Sequence, residues 1–135
     1  MTTESLPYEV VMTDVLLVDF SDSIRSTLAD ILRIFGYSVL ETDNAETAIK
    51  VVNRSRIGMI VLELDLPTQS SVQLLDSIAN PPPVVLFSAR PVEAEEWEQM
   101  KHKVVRQIRK PARPEVLIEM VRTVLRDSRG EFRLA

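Results

Sequence analysis

Four polar residues follow short apolar segments along the chain, and their side chains could do chemistry together: Asp19, Glu63, Ser88 and Lys110. The apolar segments have the length and composition of parallel strands that are buried on both faces. Ligands of open parallel sheets bind at the carboxyl ends of the strands. Two carboxylates, a hydroxyl and a lysine that converge there would suit an anion or a metal–phosphate complex, because lysine supplies a point charge and serine a rotatable donor.

The elements that must position these residues alternate regularly. Strand-like runs are predicted at 15–18, 37–40, 57–62, 84–87 and 104–108. Helical periodicity follows each run, with a cap at Ser21 or Ser23 for the first helix and at Asp43 or Asn44 for the second. The third helix is predicted at 72–78, the fourth at 92–103 and the last at 114–126. This alternation predicts an α/β fold, doubly wound, with a five-stranded parallel sheet and helices on both faces.

The length of 135 residues suits one domain. We expect an N-terminal arm over 1–13, the domain over 14–126 and a C-terminal tail over 127–135, with poor order at 1–12 and 128–135. The N-terminus lacks the features of a signal peptide, and no apolar run approaches the roughly 18 residues of a membrane span. A cytoplasmic protein without membrane insertion is the expectation.

Five short motifs lie in the order and at the spacing of one known family: V-L-L-V-D at 15–19, G-Y-S-V at 36–39, E-L-D-L-P at 63–67, F-S-A at 87–89 and K-P at 110–111. The chain resembles a response-regulator receiver domain (CheY-like) over residues 14–126. The resemblance implies a flavodoxin-like (βα)5 fold. It also implies roles for five residues: phosphoacceptor-equivalent Glu63, acidic-pocket Asp19, switch hydroxyl Ser88, pocket lysine Lys110, and Pro111 after a cis bond.

The departures from the family pattern indicate a divergent, single-domain pseudo-receiver. Phe20 replaces the second acid of the first loop, Glu63 replaces the phosphoacceptor aspartate, and Gln107 replaces the aromatic switch residue. Mg²⁺ requires nearly octahedral oxygen coordination, and Phe20 removes one of its acidic ligands. We therefore expect a degraded Mg²⁺ site with weak or no binding, and no other cofactor. Glu63 reaches further than aspartate and could pair with Lys110. Asp65, two residues into the loop, is disfavoured as a shifted acceptor.

Two functions follow from the resemblance. The first is a stand-alone receiver-like protein that signals through protein–protein interaction, independently of aspartyl phosphorylation, with a sensor kinase or an effector protein as partner. The alternative is a working phosphorelay receiver that takes phosphate from a histidine kinase at an atypical acidic site. With no output domain after residue 126, direct DNA binding is not expected. A small enzyme is disfavoured, because the chain has three glycines, no glycine-rich phosphate loop and a single histidine, His102.

Charge is distributed unevenly in this chain of net charge −4, since residues 103–133 carry nine basic side chains and four acidic ones. This distribution predicts a basic face for an acidic partner, or an arginine-rich unit without one. With an acidic fourth helix, it also favours a homodimer through helix 4, strand 5 and helix 5. The interface candidates are Arg106, Arg122, Arg126, Glu96 and Ile118. The wide apolar stripe of the last helix could serve that interface or simply cover the sheet, and Trp97 is predicted to be core or half-buried.

Overall fold

The protein is represented by a computed structural model that describes residues 11–134, with side chains described over 12–128. The elements alternate as β1 (Val11–Val18), α1 (Asp22–Ile34), β2 (Val39–Thr42), α2 (Ala45–Arg54), β3 (Ser55–Leu62), α3 (Ser71–Asp76), β4 (Val84–Ser88), α4 (Ala94–Met100), β5 (Val104–Arg109) and α5 (Pro114–Leu134). The strands form one parallel sheet in the order β2-β1-β3-β4-β5. The predicted doubly wound (βα)5 fold is therefore confirmed.

Two apolar clusters cover the two faces of the sheet. Alternate residues of β1 belong to different clusters: Val15 and Leu17 pack with α1 and α5, whereas Leu16 and Val18 pack with α2, α3 and α4. This division follows from the strand period of two residues. Because both faces need apolar cover, the central strands are apolar along their whole buried length, which is the pattern that made them visible in the sequence.

Backbone hydrogen bonds continue the sheet just past the ends of its strands. Asp19 N–H donates to the Thr42 carbonyl at 3.1 Å, and Glu63 N–H donates to the Val18 carbonyl at 3.0 Å. At the other edge, Lys110 N–H donates to the Ser88 carbonyl at 2.9 Å. These bonds fix the register of the residues that carry the candidate site.

The helix ends show which of the predicted capping residues are used. Ser21 is the N-cap of α1, although its side chain makes no capping hydrogen bond. Asn44 caps α2, since its side-chain oxygen accepts from Thr47 N–H at 2.8 Å. Gly36 ends α1 with a φ of 93°, in the left-handed region where glycine avoids the Cβ clash.

Several element boundaries differ from those predicted. β1 begins by Val11, so residues 11–13 join the sheet through pairing with 55–57 of β3. The polar pair Thr13 and Asp14 separates this extension from the apolar run that indicates the strand. β2 is Val39–Thr42, two residues later than expected, and α4 is shorter than expected. α5 continues past Arg126 to Leu134, because the sequence after Arg126 contains no proline to stop it. Residues 1–10 and 135 lie outside the described range. Of the N-terminal arm expected over 1–13, the structure therefore describes only residues 11–13.

Among the helices of residues 11–134, none combines the length and the apolar character that crossing a membrane would require.

Close packing between the sheet and α5 depends on Gly58 of β3. A Cβ atom at this position would lie 2.7 Å from the carbonyl oxygen of Asp14 and 2.8 Å from Cδ2 of Leu125. The first contact is with backbone of the neighbouring strand, which cannot move without disturbing the ladder. Glycine costs conformational entropy in a strand, but here only a residue without a Cβ atom allows β1 and α5 to approach β3 this closely.

Replacing Gly58 with alanine is expected to lower the free energy of unfolding by about 1–3 kcal/mol, the usual cost of overpacking. Chemical denaturation followed by circular dichroism measures this change. Ser26→Ala, at an exposed position of α1, is the control and should stay within about 0.5 kcal/mol of the parent chain. A stabilised Gly58→Ala variant would contradict the packing argument.

Candidate functional site

Lys110 lies between two carboxylates at the carboxyl ends of the strands. Its Nζ is 2.6 Å from Oδ2 of Asp19 and 2.8 Å from Oε1 of Glu63. The three side chains are 10%, 9% and 7% exposed, respectively. The carboxyl ends of β1, β3 and β5 are thus joined by one buried, charge-assisted hydrogen-bond centre, and the predicted pairing of Glu63 with Lys110 is present.

The remaining carboxylate oxygens are also engaged. Oε2 of Glu63 accepts from the Ser88 hydroxyl at 2.6 Å and from Asp65 N–H at 3.3 Å. Oδ1 of Asp19 accepts from Ser21 N–H at 2.9 Å. The four residues singled out in the sequence therefore form one connected group. The Lys110–Pro111 peptide bond is cis, as the resemblance implied.

The electrostatic balance of this group favours a charged Lys110. Burial by itself would lower the pKa of the ammonium group, but hydrogen bonds and charges from Asp19 and Glu63 outweigh it, so the pKa of Lys110 is raised above its usual value. The ammonium also lies 5.3 Å from the centre of the Phe87 ring, within cation–π distance. The pocket thus holds a charged ammonium between two carboxylates at neutral pH.

The comparison with protein families matches residues 15–122 to the model described as response regulator receiver domain. The chain belongs to this family. Receiver domains are signalling modules of two-component systems and are in general not enzymes, so the chain has a role in signal transduction.

Among curated relatives, the phosphate regulon transcriptional regulatory protein PhoB of Pseudomonas aeruginosa is 27% identical over 117 residues, which cover 83% of this chain and 51% of the relative. The transcriptional regulatory protein CpxR of Escherichia coli is 24% identical over 119 residues, with 87% and 51% covered. The chain therefore spans about half the length of these two relatives.

Solved structures support the same assignment. A CheY-like receiver domain protein from Methanospirillum hungatei superposes with a TM-score of 0.80 at 18% identity, covering 91% of this chain and 99% of the other. The N-terminal domain of a response regulator/sensory box/GGDEF protein from Carboxydothermus hydrogenoformans gives 0.77 at 26% identity, with 88% and 98% covered. The first likeness concerns the fold alone.

The donor set of this receiver does not fit a Mg²⁺ ion. The ammonium of Lys110 is bonded to one oxygen of each carboxylate, and the other oxygens accept from Ser21, Ser88 and Asp65, so the carboxylates already have donors. Phe20, at the place of the second acid, has no oxygen in its side chain, and its ring is 53% exposed. Among the described residues, no group of three acidic, histidine or cysteine side chains could hold a metal ion. Octahedral oxygen coordination would therefore require the pocket to be rebuilt.

Sequence reasoning missed Arg90, in the loop between β4 and α4. Its guanidinium binds both oxygens of Asp65, at 2.7 and 2.9 Å, and both oxygens of Glu96, at 2.8 and 2.7 Å. Hydrogen bonds from Arg90 lower the pKa values of both acids. A lone loop arginine has no periodic signal, and only the fold brings its partners to it.

The interface candidates divide into two groups. Arg106, Arg122 and Arg126 are exposed. Glu96 is bound to Arg90, and Ile118 is 7% exposed within the core. Most of the α5 stripe covers the sheet, which is why Ile118 is unavailable to a partner in this structure. Trp97 is half-buried against the core, as predicted.

Replacing Lys110 with methionine should lower the free energy of unfolding by about 3–5 kcal/mol at pH 7, because two buried carboxylates lose their partner. Urea denaturation measures the change. Lys101→Met is the matched control, because the Lys101 side chain is 37% exposed and its ammonium pairs with Glu98. An exposed pair of this kind contributes about 0–1 kcal/mol.

The pH dependence gives a second readout of the same change. A raised amine pKa adds stability that is fully present below the unfolded-state value of about 10.4 and is lost as the pH rises through the folded-state value. The stability gap between the parent chain and Lys110→Met should therefore narrow above about pH 10.4. A gap that is unchanged at pH 11 to 12 would show that the charge of Lys110 does not stabilise the fold.

Proposed function

We propose that this receiver signals by binding a protein partner, a sensor kinase or an effector protein, and that it does so independently of aspartyl phosphorylation. The observation that carries the proposal is the contact of one side chain, Glu63, with both Lys110 and Ser88, at 2.8 and 2.6 Å. The family resemblance assigns these two groups to the phosphate-responsive pocket. Here a carboxylate of the chain itself already occupies them.

Chemical considerations support the same conclusion. Phosphoryl transfer depends on positioning and on neutralisation of charge by a metal ion. Glu63 is held away from solvent by three donors, and Lys110 occupies the position between the two acids. An incoming phosphoryl group would have to displace this lysine and find a metal ion in a donor set that does not fit one. A carboxylate carries one negative charge whereas a phosphoryl group carries nearly two, so Glu63 is an imperfect but permanent substitute.

Incubation with acetyl phosphate and Mg²⁺ should therefore give no acyl-phosphate adduct on Glu63. Intact-protein mass spectrometry under neutral conditions measures the adduct, and a receiver with aspartate at the acceptor position serves as the positive control. Stoichiometric modification that disappears in Glu63→Gln would establish the alternative function, a working phosphorelay receiver with an atypical acceptor.

For the contact surface we propose the face formed by α4, β5 and α5, which could also mediate a homodimer. The exposed basic residues there include Arg106, Arg122 and Arg126, and α4 exposes Glu95 and Glu98. A two-fold axis could place the acidic helix of one copy against the basic strand and helix of the other. A groove of about 560 Å³ between β5 and α5 adds a concave surface, lined in part by Ile108, Val116 and Met120.

Reversing two charges tests this surface. Arg122→Glu together with Arg126→Glu should weaken self-association or partner capture at least tenfold, and most strongly at low salt, because screening already reduces such contacts at higher ionic strength. Sedimentation velocity and affinity capture measure the effect. Arg54→Glu with Arg56→Glu, at exposed positions where α2 meets β3, is the matched control. Equal behaviour of both double variants would exclude the α4–β5–α5 face.

A further inference from the structure

Two links join the loop after β3 to the end of β4 and the loop that follows it. The inner link is the buried hydrogen bond from the Ser88 hydroxyl to Glu63, at 2.6 Å. The outer link is the ion pair of Arg90 with Asp65, at 2.7 Å, with Arg90 34% and Asp65 61% exposed. Glu63 and Asp65 are two positions apart in the chain, and so are their partners Ser88 and Arg90. The two links therefore close a small ring that includes both loops.

The ring is closed further by the backbone. Asp65 N–H donates to the same Glu63 oxygen that accepts from Ser88. Movement of the Glu63 carboxylate would thus disturb the Asp65 backbone, and with it the carboxylate that Arg90 holds. The inner and outer links share this residue and are not independent.

The outer link continues into α4. The guanidinium of Arg90 binds Glu96 through two nitrogens, at 2.8 and 2.7 Å. Glu96 in turn completes the capping box of α4, since its side chain accepts from Glu93 N–H at 2.9 Å. The first turn of α4 is therefore held by the same cation that holds the loop after β3. Bidentate arginine–carboxylate pairs fix orientation as well as distance, which a lysine at this position could not do.

We propose that Arg90 is a positioning residue that couples the Glu63 pocket to helix α4. Through it, a change at Glu63 or Ser88 is transmitted to the first turn of α4. The inference concerns the chain's own helix, so it holds whether or not a partner docks on the α4–β5–α5 face.

The sharpest variant is Asp65→Asn. It removes the carboxylate that Arg90 binds across the loops, but it leaves the contacts of Arg90 with Glu96 in place, so the cap of α4 is not itself altered. The position is exposed and the side chain keeps its size, so the fold should be retained. Asp30→Asn is the matched control, because Asp30 is 75% exposed and forms an ion pair with Arg33 at 3.8 Å.

Two measurements report on α4 in the intact chain. Trp97, the single tryptophan, lies on α4, and its fluorescence reports the packing of that helix. Hydrogen–deuterium exchange at the amides of Trp97 and Lys101, which donate within the helix at 2.9 and 2.8 Å, reports its opening. Asp65→Asn should raise exchange at these amides about two- to fivefold, as expected for the loss of a partly exposed ion pair, with α1 and α5 unchanged. Asp30→Asn should leave α4 at the parent rate.

Coupling is tested by combining variants. Ser88→Ala alone should also raise α4 exchange, because it breaks the inner link. In the Asp65→Asn background it should add little, since the route to α4 is already broken. The proposal is overturned if the increases in α4 exchange caused by the two variants multiply independently, or if either single variant leaves α4 exchange at the rate of the parent chain. It is also overturned if exchange rises equally over the whole chain, because that would indicate general destabilisation. Failure here would leave the phosphorylation test of the proposed function unaffected.

Discussion

The arrangement of this receiver depends on one buried ammonium group between two carboxylates. Asp19, Glu63 and Lys110 follow three different strands, and each side chain is at most 10% exposed. Any one of these charges would be costly to bury alone, whereas together they satisfy one another. The requirement acts on the whole sheet, because β1, β3 and β5 must end at the same level for the three groups to meet.

The same requirement explains why the pocket could be predicted and its surroundings could not. Apolar runs identify buried parallel strands, and the residue after each run must lie at the common edge of the sheet. Asp19, Glu63, Ser88 and Lys110 could be placed in this way. Helical periodicity tells which residues share a face, but not which neighbour covers it. The sequence pattern therefore places Glu96 and Ile118 at an interface, whereas in the structure Arg90 binds Glu96 and the core buries Ile118.

Element ends were harder to predict than element centres, and for two physical reasons. β1 extends back to Val11 because β3 offers it a ladder partner, whereas in the sequence Thr13 and Asp14 interrupt the apolar run that indicates this strand. α5 extends to Leu134 because nothing after Arg126 forbids a helix. At the start of β1, pairing with another strand creates structure that the local composition does not predict. At the end of α5, the helix continues because the sequence contains no residue that would stop it.

Glutamate at position 63 has one methylene group more than aspartate, and the contacts of its carboxylate show the effect of this extra length. The Glu63 carboxylate places one oxygen on Lys110 and the other on Ser88, so the two groups at opposite sides of the pocket are held by a single side chain. A phosphoryl group in such a pocket can be added and removed, and the contacts it makes are temporary. A side-chain carboxylate is part of the chain and no hydrolysis step releases it. Only a change in protonation, in conformation or in the contacts of the neighbouring loops can alter these bonds. The ion pair of Arg90 with Asp65 is a second link between those loops. A change in this ion pair could therefore alter the contacts of Glu63, which are otherwise permanent.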